Sequence, residues 1–322
     1  MALFDMPHDK LEEYKPALTA QKDFERFWSM TLKETESYPI SAEFVKLEDP
    51  FYKLVEAYDV TFNGYDGQPV KGWFIVPAGS KSRLPCVVSF IGYGGGRSFP
   101  VDHMWPLVGG YAHFVMDTRG QGGSWSPGHT SDEAAAGPSV PGFMTRGIES
   151  RENYYYRRVF ADGVRAVEAA CSNPRVDARR IAVTGGSQGG GITIAVAGLV
   201  KHRAKLAMAD VPFLCHFRRG VTLIDSDPYG EITRFLKTHR DQKDKVFKTL
   251  SYFDGMNFAP RITARCLFSV ALMDMVCPPS TVYAAYNHLK AKKEIRVYDF
   301  NNHEGGGVFQ MNEKLAFLAR NL

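Results

Sequence analysis

The sequence predicts an α/β fold, a mostly parallel sheet wound with helices on both faces. Three observations predict it. Short apolar runs recur at 86–91, 112–116, 181–184, 206–209, 266–271 and 295–300. Stretches of helical periodicity stand between runs, at 154–170 and 192–200. Glycine-rich turns follow the first two runs, at 92–96 and 117–122. Strands that read as continuous apolar runs are buried on both faces, as in a parallel sheet covered by helices.

Each element follows from local chemistry. Residues 1–40 carry an amphipathic helical pattern around Phe24, Phe27, Trp28, Met30 and Leu32, which predicts an arm packed on the main body. Residues 55–62 and 70–76 have strand composition, and Asn63, Gly64, Asp66 and Gly67 between them make a turn. That pattern predicts an antiparallel hairpin at the sheet edge. Residues 124–147 are rich in Gly, Pro and Ser without periodicity, and a loop so long usually shapes a site. Residues 214–257 are charged and helical in flavour between two strands, and read as an inserted cap. No internal repeat is visible, so residues 1–322 are expected to form one domain bearing the arm and the cap.

Composition narrows the function classes. A hydrophobic share of 44% against 23% charged is that of a globular protein with a sizeable core. The net charge of +4 is spread along the chain without a basic stripe, which argues against nucleic-acid binding. No apolar run approaches the roughly 18 residues of a membrane span, and the first ten residues lack the pattern of a secretory signal. The five cysteines are widely spaced without a C-x-x-C pair. They read as reduced thiols of a cytoplasmic protein, with neither a disulfide framework nor a zinc site.

The sharpest signal is Gly185-Gly186-Ser187-Gln188-Gly189, a G-x-S-x-G sequence between an apolar strand and an apolar helix. In an α/β-hydrolase this turn lifts a serine hydroxyl clear of the sheet, and Gly185 and Gly189 avoid collisions with the flanking elements. A serine hydroxyl needs a base to take its proton, and in this fold the acid and then the histidine follow it in the chain. Of the histidines well beyond Ser187, His239 lies in the cap and His288 in a helical pattern. His303 stands in a loop directly after a strand, where the base belongs. Asp274 follows the run 266–271 and lies between serine and histidine, as an orienting carboxylate should. Asp254 and Asp299 are rivals, the second placed inside the final strand. Acyl transfer also needs donors for the developing oxyanion. The backbone N–H of Gln188 is one, and that of Tyr93, in Gly92-Tyr93-Gly94, is the other.

Other patterns fall away. The run 92–96 lacks G-x-G-x-x-G spacing because Arg97 takes the last position, so no dinucleotide is expected. His303-Glu304 does not extend to H-E-x-x-H, since residue 307 is glycine. Neither cofactor nor metal is therefore called for. Trp105, Trp125 and Phe213 are candidates to line an acyl pocket, although aromatics more often serve the core.

Taken together, Arg119-Gly120-Gln121-Gly122, the turn at Ser187, Leu272-Met273-Asp274 with Cys277-Pro278-Pro279-Ser280, and His303-Glu304 resemble carbohydrate esterase family seven, the acetyl xylan esterases and cephalosporin C deacetylases. The likeness runs over essentially the whole chain. It implies an intracellular deacetylase acting on small acetylated molecules, such as acetylated xylo-oligosaccharides and acetylated cephalosporins. It also implies catalytic roles for Ser187, Asp274 and His303 and oxyanion roles for Tyr93 and Gln188. Perhydrolysis occurs in some relatives. The assembly implied is a ring-shaped homo-hexamer, a trimer of dimers. Ile91 stands where relatives often show histidine, and Ala271 where close ones may carry glycine. Two rival readings are a serine peptidase of the prolyl-oligopeptidase kind, for whose usual propeller this chain has no room, and a non-catalytic carbohydrate-binding relative.

Overall fold

The computed structural model describes residues 3–133 and 140–322. Residues 134–139 of the long loop, and the first two of the arm, lie outside that description. Among the described residues nine strands form one sheet: β1 (Glu43–Lys46), β2 (Val55–Asn63), β3 (Pro69–Pro77), β4 (Leu84–Phe90), β5 (Ala112–Met116), β6 (Val176–Gly186), β7 (Leu206–Asp210), β8 (Arg265–Ala271) and β9 (Lys293–Tyr298). Their order is β1-β2-β3-β5-β4-β6-β7-β8-β9. The pairs from β5 through β9 are parallel, while β1, β2 and β3 run antiparallel at one side. The parallel strands β4 and β5 are almost wholly buried, as continuous apolar runs require.

Among the described residues ten α-helices accompany the sheet: α1 (His8–Glu13), α2 (Phe24–Glu36), α3 (Tyr155–Ser172), α4 (Gln188–Val200), α5 (Phe217–Leu223), α6 (Tyr229–Thr238), α7 (Lys243–Leu250), α8 (Gly255–Phe258), α9 (Pro279–His288) and α10 (Gly307–Asn321). Helix α4 is apolar around its circumference and buried along its length, so it packs under β6 and β7 rather than facing water. The arm is anchored by Trp28, whose ring meets Phe160, Phe253 and Phe258 and whose indole N–H donates to the Tyr252 carbonyl at 2.9 Å. Residues 214–257 hold α5, α6, α7 and the start of α8, and Phe213, just before that segment, meets Tyr229 edge-on with ring centroids 4.6 Å apart.

Three details depart from the sequence reading. Strand β1 adds to the edge outside the predicted hairpin; it is short, mostly exposed and charged, so it carries no apolar signal. The last strand stops at Tyr298, which leaves Asp299 in the turn beyond it. Among the rings proposed for an acyl pocket, Phe213 is buried against Tyr93 and Tyr229, and Trp105 lies beneath the Lys314 ammonium.

Candidate active site

Ser187 lies between β6 and α4 at φ 55°, ψ −120°. Such a backbone is costly for a residue with a Cβ and persists only where neighbours enforce it. Here the Ser187 N–H donates to the Asp210 carbonyl at 2.9 Å, and the Ser187 carbonyl accepts from Phe213 at 2.9 Å and Gly191 at 3.0 Å. The turn can be this tight because of its glycines. A Cβ on Gly189 would stand 2.2 Å from the Phe90 carbonyl oxygen, and one on Gly185 would stand 2.4 Å from the Gly189 backbone.

Asp274 follows β8 and is fully buried. Its Oδ1 accepts the backbone N–H groups of Val276 and Cys277, both at 2.8 Å, which aims the carboxylate. His303 Nδ1 lies 2.9 Å from Oδ2 and 3.1 Å from Oδ1. A carboxylate only accepts, so the Nδ1 proton is the one donated, and Nε2 is left carrying the lone pair. The loop around the imidazole is held by Glu304, which accepts from the Asn301 side chain at 2.7 Å and the Asn302 N–H at 3.0 Å. Gly305, Gly306 and Gly307, all at positive φ, then turn the chain into α10.

Ser187 and His303 line the same cavity of 370 Å³, together with Gly92, Tyr93, Trp125, Pro141, Asp227, Pro228 and Val276. A groove of 670 Å³ elsewhere is larger, but its lining includes Lys22, Asp23, Arg151 and Tyr252 and neither of these two residues. Cys277 places its sulfur within 4.8 Å of one Asp274 oxygen and one His303 nitrogen. Burial pushes that thiol well above its usual range. The Asp274 carboxylate accepts from the imidazole and from two backbone amides.

Gln188 follows the serine within its turn, and Tyr93 lines the same cavity as the serine. Among the described residues neither backbone N–H has a hydrogen-bond partner inside the protein. Gln188 begins α4, where an N–H has no intrahelical acceptor. The Gln121 side chain ties the two together. Its Oε1 accepts the Gly94 N–H at 2.7 Å, and its Nε2 donates to Gln188 Oε1 at 2.9 Å. Tyr156 donates to the same Gln188 oxygen at 2.8 Å. The neighbouring glycines dock this strut, Gly120 through the Thr130 carbonyl at 2.8 Å and Gly122 through the Gly94 carbonyl at 3.3 Å. Arg119 points the other way, into a buried fork on Asp162. Sequence reasoning missed the roles of Gln121, Trp125 and Glu231 in holding Tyr93 and its surroundings, because each acts across a large chain separation. Gln121 was marked only through the Arg119-Gly120-Gln121-Gly122 motif and Trp125 only as a candidate pocket aromatic, while nothing in the sequence marked Glu231.

A mostly parallel sheet with a strained serine between strand and helix, followed in the chain by an aspartate and a histidine that meet, is the architecture of an α/β-hydrolase. The chain belongs to the acetyl xylan esterase family: the family model described as acetyl xylan esterase (AXE1) matches residues 1–321. It is similar to a solved acetyl xylan esterase from Paenibacillus sp. R4, with 42% identity and a TM-score of 0.91 over 98% of this chain and 100% of that one. It is also similar to acetyl xylan esterase 1 from Thermoanaerobacterium sp. JW/SL YS485, at 33% identity and a TM-score of 0.87 over 97% and 99% of the two chains. Acetyl esterase Axe7A of Xylanibacter ruminicola is 27% identical over 91% of this chain. The chain spans 65% of the length of that relative.

Proposed function

We propose that the protein is a serine carboxylesterase that removes acetyl groups from small acetylated molecules through an acetyl-serine intermediate. One observation carries the reading: a serine on an enforced turn shares a cavity with an imidazole whose far nitrogen is bound to a buried carboxylate. In this mechanism Ser187 Oγ attacks the acetyl carbonyl carbon while His303 Nε2 takes its proton. The oxyanion that forms is held by the N–H groups of Tyr93 and Gln188. The tetrahedral species collapses, and the alcohol leaves with the proton from His303. Water then attacks the acetyl-enzyme, His303 serves again as base, and acetate departs. Asp274 orients the ring and steadies the imidazolium that forms.

The relatives' names point to acetylated xylan fragments as substrates. A cavity of 370 Å³ is at the small end of ligand sites and suits oligosaccharides or an acetylated cephalosporin better than polymer. We read the chain as one catalytic unit with arm and cap, acting in the cytoplasm as a homo-hexamer. Exposed Phe51, Leu54 and Val108 offer an apolar face for such an assembly. Among the described residues no helix is long and apolar enough to cross a membrane.

The test is Ser187→Ala assayed on acetyl esters. The rate should fall by roughly 10⁵-fold or more, as when other triads lose their nucleophile. A variant keeping a tenth of the activity would overturn the reading. A panel from acetyl to octanoyl esters, with acetylated xylobiose and polymeric acetylxylan included, then defines the substrate class.

A further inference from the structure

Glu231, on cap helix α6, is a buried carboxyl, 6% exposed, with no ion-pair partner among the described residues. Its acceptors are used instead on the wall of the site. Tyr93 donates its phenol O–H to Glu231 Oε1 at 2.5 Å, and Met144 donates its N–H to Oε2 at 3.0 Å. The same phenol oxygen accepts the N–H groups of Gly142 at 3.2 Å and Phe143 at 3.0 Å. The Phe143 ring packs edge-on against Tyr93, with centroids 5.5 Å apart. The remaining handle on Tyr93, its carbonyl, accepts from Trp125 Nε1 at 2.8 Å. Every polar group of Tyr93 except the backbone N–H is therefore occupied, and the residue is held at both ends. Glu231 also stands three residues beyond Pro228, a wall of the cavity, and its Met144 contact lies three residues beyond another wall, Pro141.

We propose that Glu231 is a positioning residue, whose carboxylate clamps the Tyr93 phenol and the 142–144 backbone and so aims the Tyr93 N–H at the acyl oxygen. The proposal rests on the reading of Tyr93 as an oxyanion donor. A bond from the cap to the oxyanion loop acts on the transition state more than on the bound ester, because the oxyanion forms only during attack. Loosening it displaces a donor rather than deleting one, and misplacement of that kind can cost up to about 10²-fold in rate.

Three variants test this on 4-nitrophenyl acetate: Tyr93→Phe, Glu231→Gln and the two combined. Tyr93→Phe keeps the backbone N–H and loses only the phenol oxygen. Its kcat should fall by roughly 10- to 100-fold, with KM within about twofold of the parent. Glu231→Gln still accepts from Tyr93 but turns an NH₂ group toward the Met144 N–H, so its kcat should also fall, by less. The double variant should be no worse than Tyr93→Phe, since both changes break one linkage. Unchanged kcat in Tyr93→Phe, or losses that multiply in the double variant, would overturn the clamp. If Glu231→Gln does not fold, Tyr93→Phe decides alone. Ser187→Ala, run alongside, separates the two ideas: activity surviving there removes the site reading itself, whereas its loss beside an unaffected Tyr93→Phe removes only the clamp.

Discussion

At Asp274 and His303 the chemistry is set by which oxygen meets which nitrogen. Asp274 Oδ1 is shared between two amides and the imidazole, whereas Oδ2 is drawn to Nδ1 at 2.9 Å. Asp274→Asn preserves this shape but can present an NH₂ group to Nδ1, which stabilises the wrong tautomer. The expected result is a kcat lower by about 10⁴-fold with little change in melting temperature. A loss under tenfold, measured on correctly folded protein, would count against the assigned orientation. Much at this scale is local and therefore readable. Gly185, Ser187 and Gly189 lie within five positions, and their spacing reports a turn that tolerates no Cβ on either side. Glu231 is the opposite case. Its bonds reach Tyr93, 138 positions away, and Met144, 87 away, and nothing in its own neighbourhood marks it.

Among the elements, Arg119 ties the loop after β5 to α3 and to the hairpin turn. Arg119 and Asp162 are each 1% exposed, and the guanidinium grips the carboxylate with Nε at 2.5 Å and one terminal nitrogen at 2.7 Å. Another nitrogen donates to Gln68 Oε1 at 2.8 Å, while Asp162 accepts the Tyr65 N–H at 2.8 Å. Arg119→Lys keeps the charge but cannot form the fork, leaving buried acceptors unpaired. Stability should drop by about 3–5 kcal/mol in a urea titration, as when other buried pairs are broken. A change below about 1 kcal/mol would show that water replaces the lost contacts. The parallel strands were legible because burial on both faces demands continuous apolar runs. Strand β1 was not, since its pairing with β2 is made by backbone groups that leave charged side chains in solvent. The α10 helix starts at the last of three glycines that read as loop, and only the turn they make by positive φ reveals its beginning.

Over the whole molecule, acid stability should turn on a histidine that is not among the cavity walls. His113 in β5 is fully buried, with Nε2 at 2.6 Å from Ser89 Oγ and Nδ1 at 2.7 Å from the His103 carbonyl. Burial drives its pKa from 6.5 down to about 3, with the nearby His103 adding to the effect. The folded protein keeps the ring neutral where an unfolded chain protonates it. Its contribution to stability is therefore complete above pH 6.5 and is lost as pH falls from there toward 3. The slope is at most about 1.4 kcal/mol per pH unit. Asp254, raised to about 6 by burial, acts in the reverse sense. That term is common to the parent and to His113→Gln, so it cancels in a comparison of their urea midpoints at pH 7 and pH 5. The parent should lose more stability than the variant on acidification, and equal losses would refute the assignment.

The walls of the 370 Å³ cavity come from residues 92–93, 125, 141, 227–228 and 276, which are connecting segments, whereas the serine is held at a strand end by bonds to its neighbours. Recognition and reactivity are thus carried by different material. Retailoring the rim for another alcohol leaves the sheet that supports proton transfer untouched, so a library confined to those wall positions (Tyr93 and Pro228 held constant) should yield folded variants with altered leaving-group preference far more often than inert ones.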